Sequence, residues 1–225
     1  MADNTDMPRL PRHLQVLPGH PHHIILRGNN RRRLFSYPSE HQLFVFRLAE
    51  AGRKHGVPVH TTMQMDNHVH LLVTAREHRQ LARFVQRFAQ TYAQFRNKRR
   101  NATGKLFEER YKCIPIATER QMAITTAYIE LNPVRAGICN SPRDYRWSTF
   151  RLHSGFEGGE PTVASLWTPS SWYLSLGTDP SERAQTYLDW FEHYRARDEW
   201  SEVYRDPPRA GDRKRFETPD RRKAT

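Results

Sequence analysis

Cysteine is nearly absent from this chain, with Cys113 and Cys139 the only two in 225 residues. Two cysteines so far apart make neither a close-spaced metal pair nor a disulfide framework. That excludes a stapled secreted scaffold and points to a cytosolic protein. Long apolar runs are missing too: no stretch approaches the roughly 18–20 apolar residues of a membrane span. The opening Met1-Ala2-Asp3-Asn4-Thr5-Asp6-Met7-Pro8 has no cationic head followed by an apolar stretch, so a secretory leader is not expected. Apolar residues are only 37% of the chain, yet they fall in periodic runs and aromatics reach 11%, which excludes full disorder. Acidic charge is scarce: 24 Asp and Glu against 36 Lys and Arg leave +12. Such an excess suits a polyanion, and nucleic acid is the obvious one.

Where that charge lies matters. Residues 206–225 are rich in Pro, Arg and Asp with one large apolar residue, Phe216, and read as a disordered basic tail. Between Arg76 and Lys112, however, eleven Lys and Arg face three Glu, a local excess of +8 flanked by apolar segments. Most of the positive field therefore belongs to the folded part.

The first two-thirds of the chain alternates between two periods. His22 to Arg27 reads as a strand ending in the turn Gly28-Asn29-Asn30. Ser39 can cap a helix running to about His55, with Gly56 as its stop. Val57 to Met65 and His68 to Val73 read as a hairpin around Asp66-Asn67, two residue types that tolerate left-handed backbone. A helix over roughly Gln80 to Arg96 puts Leu81, Phe84, Val85, Phe88, Tyr92 and Phe95 on one side and Arg79, Arg83 and Arg87 on the other. A fourth strand covers Lys112 to Ala117. A last helix starts at Thr118, in a capping box with Gln121, and ends at Asn132 before Pro133. The order βαββαβ plus a helix predicts an α+β, ferredoxin-like antiparallel sheet. Beyond Gly137 the pattern weakens to a strap anchored by Trp147 and Phe150, a loop, and a helix over Ser181 to about Arg197. Tyr187, Trp190, Phe191 and Tyr194 fall at helical spacing there and read as core.

Two histidines stand out. Period-two alternation sends His68 and His70 to one face of a strand and Val69, Leu71 and Val73 to the other. Side-by-side imidazoles make two ligands for a divalent metal. The motif alone is weak, since twelve histidines in 225 residues give roughly 0.6 chance matches. A second match, His20-Pro21-His22, contains proline and lies outside a regular apolar strand. Tyr128 and Asn132, four apart, share one helix face. An amide oxygen from Asn132 suits a hard cation as third ligand, and Tyr128 would sit one turn from it, where a nucleophile belongs. Periodicity by itself places Tyr128 with Ile124 and Leu131 in a packing stripe, so the chemical reading needs all four residues together.

His68-Val69-His70 matches the His-hydrophobic-His motif of the HUH endonucleases. The longer string Gln64-Met65-Asp66-Asn67-His68-Val69-His70-Leu71-Leu72-Val73 resembles the single-tyrosine HUH transposases, and most of all the REP-associated tyrosine transposases. Arg27-Gly28-Asn29-Asn30, Gly104 to Lys112, Tyr128-Ile129-Glu130-Leu131-Asn132-Pro133-Val134-Arg135-Ala136-Gly137 and Tyr145-Arg146-Trp147-Ser148 follow in the family's order. The resemblance covers about residues 9–153. It supports a transposase domain over 21–153 after an arm over 1–20 and gives little support beyond; there the pattern and composition read as a C-terminal loop and helix over 154–205 and the tail. It implies His68, His70 and Asn132 as ligands of Mg²⁺ or Mn²⁺ and Tyr128 as the nucleophile that forms a 5′-phosphotyrosine. The implied substrate is single-stranded DNA folded as a palindromic hairpin with a short flanking tetranucleotide. REP-associated members imply a monomer, mobile-element relatives a homodimer, acting in the cytoplasm at the nucleoid and not at a membrane. Asp66 stands where the family commonly has proline, and Asn132 where mobile-element relatives tend to have Gln.

Arg79, Arg83 and Arg87, continued by Arg96, Lys98, Arg99, Arg100 and Lys105, suit phosphates by their spacing. Arg27, Asn29 and Asn30 could read base edges. Arg110, Lys112 and Arg135 lie within the family strings and join the expected DNA-binding set. Two other readings stay open: a hairpin-binding protein or repressor without catalysis, and a nucleotide hydrolase of the histidine-triad type. The latter usually needs a further histidine where this chain has Leu72.

Overall fold

The computed structural model describes residues 15–108 and 110–197; the expected tail over 206–225 and most of the expected arm lie outside the described residues. Strands β1 (Pro21–Arg27), β2 (Val59–Met65), β3 (His68–Thr74) and β4 (Lys112–Pro115) form one antiparallel sheet in the order β2-β3-β1-β4. Helix α1 (Pro38–His55) links β1 to β2, and α2 (His78–Arg99) links β3 to β4. Helix α3 (Glu119–Glu130) follows. The architecture is the expected ferredoxin-like βαββαβ sheet with added helices. The C-terminal part contributes α4 (Asn132–Arg135), α5 (Phe150–His153), α6 (Pro161–Leu166), α7 (Ser171–Leu174) and the long α8 (Pro180–Arg197).

Local sequence explains most element ends, with corrections. Helix α1 begins at Pro38 rather than beyond a Ser39 cap, because proline's fixed φ suits the first turn. Glu40 reaches back to accept the Ser36 backbone N–H at 2.6 Å. Gly56 ends the helix in the left-handed region at φ 63°. Neither Asp66 nor Asn67 is left-handed; among described non-glycine residues only Asn30, Arg31 and Asn101 have positive φ. The β2–β3 turn is instead held from outside. The Leu34 N–H donates to the Asp66 carbonyl at 2.6 Å, and the Gly28 N–H to the Asn67 carbonyl at 2.8 Å. The last helix stops at Glu130, not Asn132, and resumes as α4 with Pro133 in its first turn, where no N–H is needed. Its start is capped as expected: the Thr118 hydroxyl accepts the Gln121 N–H at 3.1 Å.

Alternation along the strands divides the molecule into two cores. Ile24, Leu26, Val69, Leu71 and Val73 point to one face, under α1 and α2, among Phe44, Leu48, Leu81, Phe84, Phe88 and Tyr92. Met63, Met65 and Leu72 point to the other, under α3 and α8, among Ala127, Tyr187, Phe191 and Tyr194. Full burial of each large apolar side chain contributes about 1.5–3 kcal/mol. The C-terminal helix is thus part of the second core, as its aromatic spacing predicts.

The β2 edge is closed by the strap. The Gln64 N–H donates to the Trp147 carbonyl at 3.1 Å and the Thr149 N–H to the Thr62 carbonyl at 3.2 Å. The Trp147 ring stacks on His41 at 4.4 Å, and His41 on Phe35 at 4.2 Å. Among the described residues no helix is long and apolar enough to cross a membrane.

Candidate functional site

Register fixes what the second face displays. Arg27 lies opposite His68, Ile25 opposite His70 and His23 opposite Leu72. Directly opposed residues share a face. His23, Arg27, His68 and His70 therefore all project toward the side on which α3 packs.

The His68 and His70 ring centroids are 4.9 Å apart. Asn67 Oδ1 lies 2.7 Å from His68 Nδ1. An amide oxygen only accepts, so the proton sits on Nδ1 and the lone pair on Nε2. His70 is 3% exposed; its Nδ1 meets His23 Nε2 at 2.8 Å, and its Nε2 is buried with no hydrogen-bond partner. A buried nitrogen left so is costly unless something else takes its lone pair. Burial, helped by the Arg27 charge, lowers the pKa of His68 to about 4. Burial lowers His23 to about 3 and holds His70 well below the usual range. All three imidazoles are neutral at pH 7, the form that binds metal.

From α3, Tyr128 brings its ring to 6.0 Å from His70 and 6.1 Å from His23, edge-on to both. The Arg135 guanidinium sits 5.1 Å over that ring. Asn132 donates its amide N–H to the Tyr128 carbonyl at 2.8 Å and to the Ile129 carbonyl at 3.2 Å. That leaves the amide oxygen as the atom it can offer a cation. Among the described residues no cluster of three His, Cys, Asp or Glu is arranged for a metal. The histidine pair would need an oxygen ligand of the amide, water or phosphate kind. The chemistry of the donors suits a hard divalent ion: two neutral imidazole nitrogens, one of them buried and unpartnered, with an amide oxygen offered by the next helical segment.

A family model described as "Transposase IS200 like" matches residues 18–132, just over half of the chain. The chain belongs to the IS200-like transposase family. The matched span takes in the whole sheet, both motif histidines, Tyr128 and Asn132, and it places the protein among DNA-processing transposases. Among solved structures, the chain is similar to a REP-associated tyrosine transposase bound to a REP hairpin. The TM-score is 0.50 at 16% identity, over 68% of this chain and 88% of that one. At that identity the likeness is one of fold. A search of the curated proteins finds no match.

The cations of this transposase fall into two groups. Arg27, Lys112 and Arg135 lie on the side of the histidines and Tyr128, Lys112 being level with Ile25 and His70 across the sheet. Arg79, Arg83 and Arg87 lie on α2, across the sheet, and Arg87 is paired with Glu50 at 2.9 Å. Arg96 departs from the expected stripe. It is 6% exposed, and its Nε faces the fully buried Glu40 carboxylate at 3.8 Å. The period of the helix carries it round to the core side, where Glu40 offsets its charge. Arg100, at 3.1 Å from the same carboxylate, is drawn in with it. Lys105 and Lys112 are exposed, and Arg110 is half-buried.

Asn29 and Asn30 occupy a short turn (Asn29–Arg31), with Asn30 exposed at φ 52°. Gly28 precedes it because a Cβ there would lie 2.2 Å from the Arg32 carbonyl oxygen. The Asp66 carboxylate, which could have disturbed a cation at His68, pairs with Arg33 at 2.9 Å.

Sequence reasoning missed His23. The signal existed, since His23, Ile25 and Arg27 alternate to one face. Nothing local says that β1 lies beside β3.

Proposed function

We propose that the protein is a REP-associated, single-tyrosine HUH strand transferase that cuts and joins palindromic hairpin DNA. The observation that carries this reading is the convergence of the Tyr128 ring with His70 and His23 within one chain. Family membership and the fold shared with a hairpin-bound transposase support it. The approach of Tyr128 to His70 within one chain favours a monomer over an exchanged dimer as the working unit.

His68 Nε2, His70 Nε2 and the Asn132 amide oxygen would hold Mg²⁺ or Mn²⁺. The bound ion supplies polarisation of a phosphate oxygen at the scissile bond. Tyr128 supplies the phenolic oxygen that attacks phosphorus. A new P–O bond to tyrosine forms as the bond to the 3′ oxygen breaks, and the phenolic proton ends on the released 3′-OH. Arg135 over the ring favours developing negative charge on the phenolic oxygen, which as a neutral hydroxyl is a weak nucleophile. Attack by another 3′-OH on the phosphotyrosine rejoins strands without an external energy source, because the ester is conserved. Arg27 and Lys112 bind the flanking phosphates.

The test is a labelled single-stranded palindromic hairpin with a short flanking tetranucleotide, incubated with Mg²⁺. The wild type forms a covalent adduct, and Tyr128→Phe forms none while binding the hairpin equally well. Hairpin binding without any adduct in the wild type would leave a non-catalytic hairpin-binding protein.

A further inference from the structure

Tyr128 and Glu130 stand two residues apart on α3, about 200° around the helix axis. The phenol faces the histidines, and the carboxylate faces the opposite way. Glu130 is fully buried, and three residues from two segments of the C-terminal part, α5 with its cap and α8, grip it. The Thr149 hydroxyl donates to Oε1 at 2.9 Å, His153 Nδ1 to the same oxygen at 2.8 Å, and the Tyr187 hydroxyl to Oε2.

The donors are unambiguous. Trp167 Nε1 lies 3.3 Å from His153 Nε2. An indole N–H only donates, so His153 Nε2 accepts and its proton sits on Nδ1, aimed at Glu130. Burial and the neighbouring carboxylate push the Tyr187 phenol well above its ordinary pKa, so it keeps its proton. Tyr187 is itself fully buried, and its ring packs on His153 at 5.2 Å. All three donors lie beyond the residues the family model matches, 18–132. Neither a core of apolar residues nor the strap needs a buried carboxylate, and leaving such a charge under-partnered is expensive.

We propose that Glu130 is the positioning residue of the nucleophile helix: the C-terminal segments that grip its carboxylate set the rotation of α3 and so hold Tyr128 in line with the histidine pair. This rests on the strand-transfer reading above. The region from Thr149 to Tyr187 then acts through Glu130 as the outer layer of the active site. Displacing a reacting oxygen by about 1 Å can cost on the order of a hundredfold in rate.

The test uses the full chain carrying Tyr187→Phe, which removes one donor and keeps the ring, together with Glu130→Gln and Glu130→Leu. Single-turnover adduct formation on the hairpin gives a rate and an amplitude separately. Tyr187→Phe should bind the hairpin within about twofold of wild type yet form adduct at least about tenfold more slowly. Glu130→Gln, whose amide still accepts from Thr149 and can donate to the Tyr187 oxygen, should keep more of the rate than Glu130→Leu. A purely structural role would lower the amplitude and leave the rate of the folded fraction unchanged, and that result overturns the proposal. Should Glu130→Leu fail to fold, the Tyr187→Phe rate decides alone. Absence of a Tyr128-dependent adduct in the wild type removes the strand-transfer reading and this inference with it. A wild-type adduct with unchanged variant rates removes the inference alone.

Discussion

His23 Nε2 and His70 Nδ1 lie 2.8 Å apart on the two central strands of the sheet, their rings stacked at 5.0 Å and both fully buried or nearly so. If His70 Nε2 is to keep its lone pair for a cation, Nδ1 must carry the proton, and His23 is the acceptor that holds it there. The second imidazole therefore orients the first. This arrangement is the outer-shell support on which metal-binding histidines usually depend.

His23→Phe keeps an aromatic ring in the stack and removes the acceptor. Mn²⁺ affinity should fall by about 10–100-fold, the usual cost of losing an orienting partner. Titration calorimetry on wild type and variant measures this without DNA. Equal affinities would show that His23 only fills space.

The two groups of cations should separate in kinetics. Arg27→Gln and Arg135→Gln, on the side of Tyr128, should slow adduct formation at saturating hairpin. Arg79→Gln combined with Arg83→Gln, across the sheet, should weaken hairpin binding and reduce its salt slope, by roughly one for each phosphate no longer neutralised. Their saturated rate should match the wild type. A fall in that rate would place the α2 face against the reacting strand.

Glu40 is fully buried with Arg96 at 3.8 Å and Arg100 at 3.1 Å. Glu40→Ala leaves the Arg96 guanidinium buried without a counter-charge, and should destabilise the fold by about 3 kcal/mol. Urea unfolding at neutral pH reads it. A loss below about 0.5 kcal/mol would mean that the buried pair contributes little and that Arg96 finds water.

Acid should destabilise the protein through its buried histidines, among them two outside the site. Burial lowers His22 and His41 from 6.5 to about 4. The unfolded chain therefore takes up protons first. Stability is complete above about pH 6.5 and falls as pH drops toward 4, by about 2 kcal/mol per histidine at pH 5. Denaturation midpoints at pH 7.5 and pH 5 test it, and a midpoint independent of pH over that interval contradicts it.

The sequence by itself determined the four strands, the long helices and the local placement of the candidate site residues, but not the short helices α5 to α7, one of which lies where it reads as a loop. Alternation put His68 and His70 on one face of one strand, and helical spacing put Tyr128 and Asn132 on one face of one helix. These are properties of backbone geometry over a few residues, so they can be read without a fold. Helix ends were less legible: Pro38 displaced Ser39 from the cap, and Pro133 opened a new turn instead of only closing the old one. Only the tertiary structure decided that β1 lies beside β3, which brings His23 to His70 across 47 residues of chain. It alone put α2 and its arginines on the far side of the sheet, turned Arg96 inward to Glu40, and delivered Tyr187 to Glu130. Strand order and the side on which a helix packs are settled by burying apolar surface and matching buried charge between segments remote in sequence, and no local period records that choice.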